Sequence, residues 1–558
     1  MNYFFKLRNV LWLFVCLTAF FSCSDDDPAE LVKPQVSFSS ETGEYKVKAG
    51  KSITLEPVVE NAVNPVYSWK LDGKIISTDK TYEFSTDKQG EYFITFRVDA
   101  ENGFDEKQVK ISVLDKLPPQ INLKQSFAGF VNEDVEIAPE IENPEGVTYE
   151  WLLNGKVIGK DPVLKFNQNE VASYQLILSA TNEDGIVMAA TSVVLLIKPE
   201  PALFFDDGKY RTAENRKVRL SVPFGRSLVL APVKVIISDK ATYQWSVDGA
   251  VQSGVTKDIF TFKPAEQKTY KIKVTATDGE KIVSGEVDVE CVKPEGAYYR
   301  PATATSMVVT NQSFGFVQAP GQFVSITVGT TEVQQTQKAT DAIKVNTGGW
   351  CFSLGAFGGY VIMGFDHSVD NVPDVADLEI NGNAFVGWSE PGIIYVMQDE
   401  NGNGLPDDMW YELKGSVYGT KQHIARYALT YFRPKGNEIF WVDNLGNTGA
   451  GSALSGGITK YPNFVPGDRV TFVGTCLQST MNEGGIITNP GYDWGYVDNV
   501  NSRTGFYIED AVQADGTPAN LKYIDFVKVH TGMNVDAKIL GEVSTETSAA
   551  FDLHLKNK

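Results

Sequence analysis

Three times in its first half this chain repeats one pattern: YSWKLDGK from Tyr67, YEWLLNGK from Tyr149 and YQWSVDGA from Tyr243. The central tryptophans, Trp69, Trp151 and Trp245, stand 82 and then 94 residues apart. Each is followed by a turn dipeptide, Asp72-Gly73, Asn154-Gly155 or Asp248-Gly249. Such pairs mark two-residue hairpins, because a type I′ turn needs positive φ at both centres. A second element recurs downstream: YFITFRVDAENG from Tyr92, YQLILSATNEDG from Tyr174 and YKIKVTATDG from Tyr270. Its period-two alternation is that of a half-buried antiparallel strand. A chain carrying such units in series is constrained to all-β structure built of tandem modules.

The combined pattern, Y-x-W-x-x-(D/N)-G and then Y-x-(I/L)-x-(F/L/V)-x-(A/V), resembles the PKD-like branch of immunoglobulin-type sandwiches. It places three PKD-like modules at 34–116, 117–199 and 200–293. A mid-strand tryptophan facing alternating strands of the opposite sheet is the core of such a sandwich, so the three tryptophans read as core plugs. No cysteine pair bridges the sheets. The modules read as a spacer, each about 35–45 Å long from strands of 8–10 residues. In series they reach on the order of 100 Å.

The N-terminus supplies an address. Lys6 and Arg8 precede an apolar run from Val10 to Phe21, then Ser22-Cys23, then Ser24-Asp25-Asp26-Asp27. The run is shorter than the ~20 residues a membrane span needs and fits a secretory signal. It resembles a bacterial lipoprotein signal (1–22) in which Cys23 becomes the acylated N-terminus of an acidic linker, 23–33. Phe20 stands where the common motif has Leu. The acidic run resembles the surface-export signal of Bacteroidetes lipoproteins. The resemblance implies an outer-membrane, lipid-anchored protein facing outward.

A net charge of −20 makes nucleic acid and anionic membranes poor partners. Cys291, Cys351 and Cys476 remain after the signal and Cys23; buried free thiols are expected over a Cys351–Cys476 disulfide. The four histidines, His367, His423, His530 and His554, show no close metal spacing and read as packing or surface residues. His367, in GFDHS, reads as a hydrogen-bonded structural residue.

From 294 to 558 the pattern changes. Glycine-rich stretches alternate with short strands such as GGYVIMGFD, PGIIYVMQD, RYALTYFRP, DRVTFVGT and YIDFVKVHT. They predict one larger, jelly-roll-like β-sandwich, with no long segment of helical apolar periodicity. One loop carries recognisable chemistry, from Asp399 to Asp408 (DENGNGLPDD). Asp399, Asn401, Asn403 and Asp407 fall at positions 1, 3, 5 and 9 of an EF-hand-type loop, with Gly404 at 6 and the Leu405 carbonyl at 7. Trp410 stands where the bidentate Glu belongs. Asp408, Glu412, Asp493 or Asp498 would have to complete a Ca²⁺ shell. The bland alternative is a solvated Asn-Gly turn.

The phrases SEPGIIYVMQDENGNGLPDDMWYELKGS, GGYVIMGFDHSVDN and YIDFVKVHTG resemble Bacteroidetes cell-surface proteins with PKD-like repeats. That resemblance implies an accessory lipoprotein beside TonB-dependent transporters, in glycan- or corrinoid-uptake systems. Three functions stay open: a non-catalytic capture module, a polysaccharide-acting hydrolase, and a surface adhesin. No GxSxG or ordered triad stands out, and chance carboxylate pairs are plentiful. For capture, aromatic faces are the candidates, with Trp388 first, then Trp410 and Trp494.

Overall fold

The computed structural model describes residues 32–40, 42–212, 216–321, 324, 329–345, 352–434, 439–451, 461–482, 487–500, 505–537 and 541–556. Cys23, the Asp25-Asp26-Asp27 run, Trp350 and Cys351 lie outside the described residues.

Each repeat is built on a five-stranded sheet of one strand order. In the first the order is Glu44–Lys48, Gly103–Leu114, Gly90–Ala100, Val66–Leu71, Lys74–Ser77. In the second it is Ser126–Phe130, Gly185–Leu196, Ser173–Asn182, Thr148–Leu153, Lys156–Gly159. In the third it is Arg219–Pro223, Lys281–Val292, Thr269–Asp278, Thr242–Val247, Ala250–Val251. The edge strand that opens each order runs parallel to the last long strand. Short antiparallel pairs, such as Ser52–Leu55 with Tyr82–Ser85, form the second layer.

The turn dipeptides do what their chemistry requires. Asp72 and Gly73 sit at φ 51° and 76°, Asn154 and Gly155 at 49° and 75°, Asp248 and Gly249 at 47° and 83°. Trp69, Trp151 and Trp245 are fully buried. Each indole N–H donates to a backbone carbonyl 10 to 12 residues on: Asp79 O at 2.9 Å, Asp161 O at 3.0 Å and Lys257 O at 2.8 Å. A buried Trp needs such a partner, and three equal solutions explain why the pattern repeats.

The chain divides into two compact units. One holds Met1–Ile121, Glu140–Tyr149 and Ser179–Met188; the other holds Asn122–Pro139, Glu150–Leu178 and Ala189–Lys558. The third repeat and the C-terminal sandwich therefore share one unit. Arg226 donates to Gln398 Oε1 at 2.8 Å and to Ala519 O at 3.0 Å. Val229 N–H donates to Gln513 Oε1 at 2.9 Å. Val233 shares a core with Ala428 and Val473.

The C-terminal sandwich joins a six-stranded sheet (Gln312–Val317, Tyr360–Asp370, Tyr523–Thr531, Gly392–Met397, Tyr411–Leu413, Ala511–Val512) to a four-stranded one (Thr448–Gly451, Ile439–Asp443, His423–Phe432, Arg469–Leu477). Ile362, Met397 and Phe526 meet Leu429, Tyr431 and Phe472 between the sheets. The outer face of the larger sheet is also covered, with Val361, Met363 and Val527 buried beside Ala339 and Ile343. Those two belong to a helix, Glu332–Val345, that the sequence reading did not foresee. Its inward residues are Gln335, Ala339, Thr340 and Ile343, so half of its buried face is polar and the apolar period is too thin to detect. Gln335 donates to Gln318 Oε1 at 3.0 Å, and Thr340 Oγ1 accepts the Ser313 N–H at 3.1 Å. Cover on both faces buries all nine residues of Tyr523–Thr531, including Asp525, Lys528 and His530.

Candidate functional site

The acidic loop joins two adjacent antiparallel strands, Gly392–Met397 and Tyr411–Leu413. It is wound by hydrogen bonds from its own side chains to nearby backbone N–H groups. The Asp399 carboxylate accepts the N–H groups of Gly402 (2.9 Å), Asn403 (3.1 Å) and Gly404 (3.0 Å). Asn401 Oδ1 accepts the Asn403 N–H and Asn403 Oδ1 that of Leu405. Asn401 Nδ2 donates to both Asp407 and Asp408 at 3.0 Å. The Leu405 carbonyl accepts the Asp407 N–H at 3.0 Å. Burial raises the Asp399 carboxyl and pushes that of Asp408 up to about 7. These are hard oxygen donors of the kind a divalent cation takes, but in this structure Asp399, Asn401 and Asn403 spend theirs on backbone N–H groups, and the loop carboxylates do not gather into one close group.

The structure narrows what could close that shell. Glu412 is engaged elsewhere, 2.9 Å from His423 Nε2 and accepting from Thr475. Asp498 lies in a different cluster, and Asp493 is exposed. Asp408 lies in the loop itself, and Asp525 Oδ2 accepts the Asp399 N–H at 2.8 Å. Glu400 is buried with no hydrogen bond to its carboxylate; Arg226 is its counter-charge at 3.6 Å.

A second cluster has no local sequence signal. Glu390, Asp498 and Glu546 bring carboxylate oxygens within 4.8 Å of one another, all buried. Asp498 Oδ1 accepts the N–H groups of Asn383 and Ala384 at 2.7 Å, and Oδ2 accepts that of Glu546 at 2.9 Å. Glu390 Oε1 accepts the Ser544 N–H at 2.9 Å. Burial, and then mutual repulsion, raise the Glu390 carboxyl; burial pushes Asp498 up to about 7 and also raises Glu546. More than a hundred residues separate these positions in pairs such as Glu390 and Asp498, so only the folded chain could join them.

The three candidate tryptophans line three separate places. Trp388 closes a hairpin beside the carboxylate cluster, exchanging N–H···O bonds with Phe385 at 2.8 and 3.0 Å. At the tip Phe385 is 65% and Val386 89% exposed, while Trp388 is half-buried. Gly387 takes φ 90° to close the turn. Trp494 borders a small crevice with Lys414, Tyr507 and Asp510. Trp410 is 9% exposed and lines a cavity between the third repeat and the sandwich.

His367 is structural in setting: buried, with Nδ1 2.7 Å from Asp366 and Nε2 2.9 Å from Asp552. Burial works against its proton, but the two carboxylates outweigh it and raise its pKa. Cys291 and Cys476 are buried free thiols.

Residues 33–100 and 118–182 match the PKD-like domain family. Comparison with curated proteins gives no match. Solved structures with some likeness include the fibronectin(III)-like modules of Clostridium thermocellum CbhA, at 18% identity over 29% of this chain and 94% of that one, TM-score 0.17. Another is an I-band fragment of titin, at 16% identity over 47% and 99% of the two chains, TM-score 0.15. A third comprises extracellular domains of Drosophila OTK, at 13% identity over 45% and 94%, TM-score 0.18. No functional equivalence follows at such scores. The chain thus carries two PKD-like domains, a third sandwich of the same strand order, and a larger all-β C-terminal domain.

Proposed function

We propose that this chain is a surface-exposed outer-membrane lipoprotein. Its PKD-like repeats display a non-catalytic C-terminal module that captures an extracellular nutrient, a glycan or a corrinoid, for a TonB-dependent transporter. The observation that carries the capture reading is the hairpin tip with Phe385 and Val386 exposed beside half-buried Trp388. An apolar, aromatic tip held out on a rigid sandwich is the kind of patch that binds a partner or ligand. A hydrolase reading would want two carboxylates on an open cleft; the three close carboxylates of Glu390, Asp498 and Glu546 are buried instead. An adhesin would share the same repeats. Calorimetric titration with glycans and with cobalamin tests capture: Trp388→Ala is expected to abolish binding while leaving the melting curve close to that of the parent. A parent that binds neither class sinks the reading.

The anchor is tested separately. Cys23→Ala is expected to release the protein from membranes, because anchoring rests on acyl chains at about 0.8 kcal/mol per buried CH₂. Protease added to intact cells should degrade the parent; protection in intact cells would remove the surface assignment.

The same proposal places structural Ca²⁺ in the 399–408 loop. Calcium at 100 times its Kd adds about 2.7 kcal/mol of stability, and Asp399→Ala should erase the difference between melts in calcium and in EDTA. Identical parental melts in the two buffers would exclude the ion.

A further inference from the structure

Between the third repeat and the acidic loop lies an open cleft of about 410 Å³. Its floor is the edge of the repeat's sheet. Arg219 and Glu290 stand there on the neighbouring parallel strands Arg219–Pro223 and Lys281–Val292, while Leu220, Val222, Val289 and Cys291 turn inward to the core. One wall is the segment after Ala202–Phe204, which carries Asp207 and Lys209. The other is the loop, through Asn403 and Asp407.

These groups reach solvent. The Arg219 and Glu290 side chains are 64% and 39% exposed, and that of Asp207 is 21% exposed. Asn403 is exposed; Lys209 and Asp407 are half-buried. Their own bonds leave capacity for a ligand. Arg219 Nη1 meets Glu290 Oε2 at a long 3.4 Å. Asp407 accepts from the Asn401 and Asn403 amides without filling the roughly four accepting sites of a carboxylate. The Lys209 ammonium has no partner among the described residues.

The charges balance. Asp207, Glu290 and Asp407 face Lys209 and Arg219, and Arg216 also pairs with Asp207. Such a lining gives an ion little net attraction. It offers acceptors and donors side by side, which suits hydroxyl groups, each a donor and an acceptor at once. Size sets a further limit. The six carbons of benzene fit a void of about 150 Å³. At that density a cleft of about 410 Å³ holds roughly sixteen heavy atoms, enough for the roughly twelve of a hexose unit but not for a disaccharide.

We propose that this cleft binds one neutral hexose unit of a glycan. The sugar hydroxyls donate to Asp407 and Glu290 and accept from Lys209 and Arg219. The inference rests on the capture reading for its class of ligand, and it selects glycan over a corrinoid, which is far larger than the cleft. The place is separate from the Trp388 hairpin. The two lie beyond opposite ends of the strand Gly392–Met397, about 20 Å apart along it. A lone hexose in a wet cleft is held at about millimolar strength. Trp388→Ala therefore still removes glycan binding at micromolar concentration, while the cleft goes on taking single hexoses.

The test is calorimetric titration of the chain from Ser24 onward with methyl glucoside, methyl galactoside and methyl mannoside. Glucuronate and galacturonate serve as charged counterparts. At least one neutral hexoside is expected to bind with a Kd of about 1 mM, and its uronate more weakly. Lys209→Met and Glu290→Gln keep the length of the side chain and remove its charge. Each should weaken the hexoside about tenfold, with a urea melt matching the parent's. Trp388→Ala should leave hexoside binding unchanged. Absence of hexoside binding up to about 50 mM, well beyond the millimolar end of specific affinities, overturns the proposal. So does a uronate that binds more tightly, or parental binding in both cleft variants. A parent that takes hexosides but no glycan polymer sinks the hairpin capture reading and keeps the cleft; one that takes the polymer but no hexoside does the reverse.

Discussion

In EDTA the chain should lose stability as pH rises from 5 to 8, because burial raises several carboxyls, among them Glu390, Asp498, Glu546, Asp408 and Glu400. The sign follows from proton binding. A carboxyl whose folded pKa is raised keeps its proton in the native state after the unfolded chain has released it. The native state is favoured while that proton stays on, and the advantage fades as pH climbs through the folded pKa. Asp498 moves from 3.8 to about 7, a separation of about three pH units at about 1.4 kcal/mol each. The full effect is on the order of 4 kcal/mol, of which about 2 falls between pH 5 and 7. Glu390 and Glu546 shift in the same direction. His367, raised by Asp552 and Asp366, also loses its contribution as pH rises. His530 opposes them, because burial lowers its pKa well below the usual value and it gains as pH rises through 6.5. It is one group against several, and the −20 net charge adds repulsion on the alkaline side. Urea melts at pH 5 and pH 8 read the result. Glu390→Gln keeps the oxygen that accepts from Ser544 and removes one buried charge, so it should be more stable than the parent at pH 8 and nearly equal at pH 5. A parent with one midpoint at both pH values, or a variant that weakens the protein at pH 8, would contradict this account.

Trp245→Ala should cost 3–5 kcal/mol, the usual price of emptying a large aromatic from a packed core. Trp245 is fully buried among Phe205, Leu220, Phe260 and Val274 and gives up its bond to Lys257 O in the variant. That is a large share of a domain's 5–15 kcal/mol. The loss should spread beyond the repeat. Met409 packs against the cores of both the repeat and the six-stranded sheet, and Val233 is buried against Ala428 and Val473. A single earlier transition, with the sandwich melting alongside the third repeat, is therefore expected by calorimetry. Trp388→Ala, at a half-buried hairpin position, should change stability by less than about 1 kcal/mol. Equal effects from the two replacements would mean that the core and hairpin assignments are wrong.

Much of this fold was legible because its determinants are local. Asp72-Gly73, Asn154-Gly155 and Asp248-Gly249 take positive φ at both residues, and period-two alternation marks the strands that face each Trp. The 399–408 loop was legible for the same reason: Asp399, Asn401 and Asn403 cap N–H groups only two to five residues away. The helix Glu332–Val345 was not, because it turns Gln335 and Thr340 inward and satisfies them with hydrogen bonds rather than apolar contact. The strand Tyr523–Thr531 was legible as a strand, but not the cover on both faces that buries all nine of its residues, Asp525, Lys528 and His530 included.

The sequence by itself determined three like β-sandwich modules, their core tryptophans and hairpins, and the winding of the acidic loop, since each depends on residues close together along the chain. Only the tertiary structure decided which carboxylates gather at Glu390, Asp498 and Glu546, that Glu412 serves His423 rather than the loop, and that Asp206 and Trp410 share one cavity. Those groupings join residues about a hundred or more positions apart, or from different sheets. Their positions follow from how covered faces pack, which no local spacing encodes.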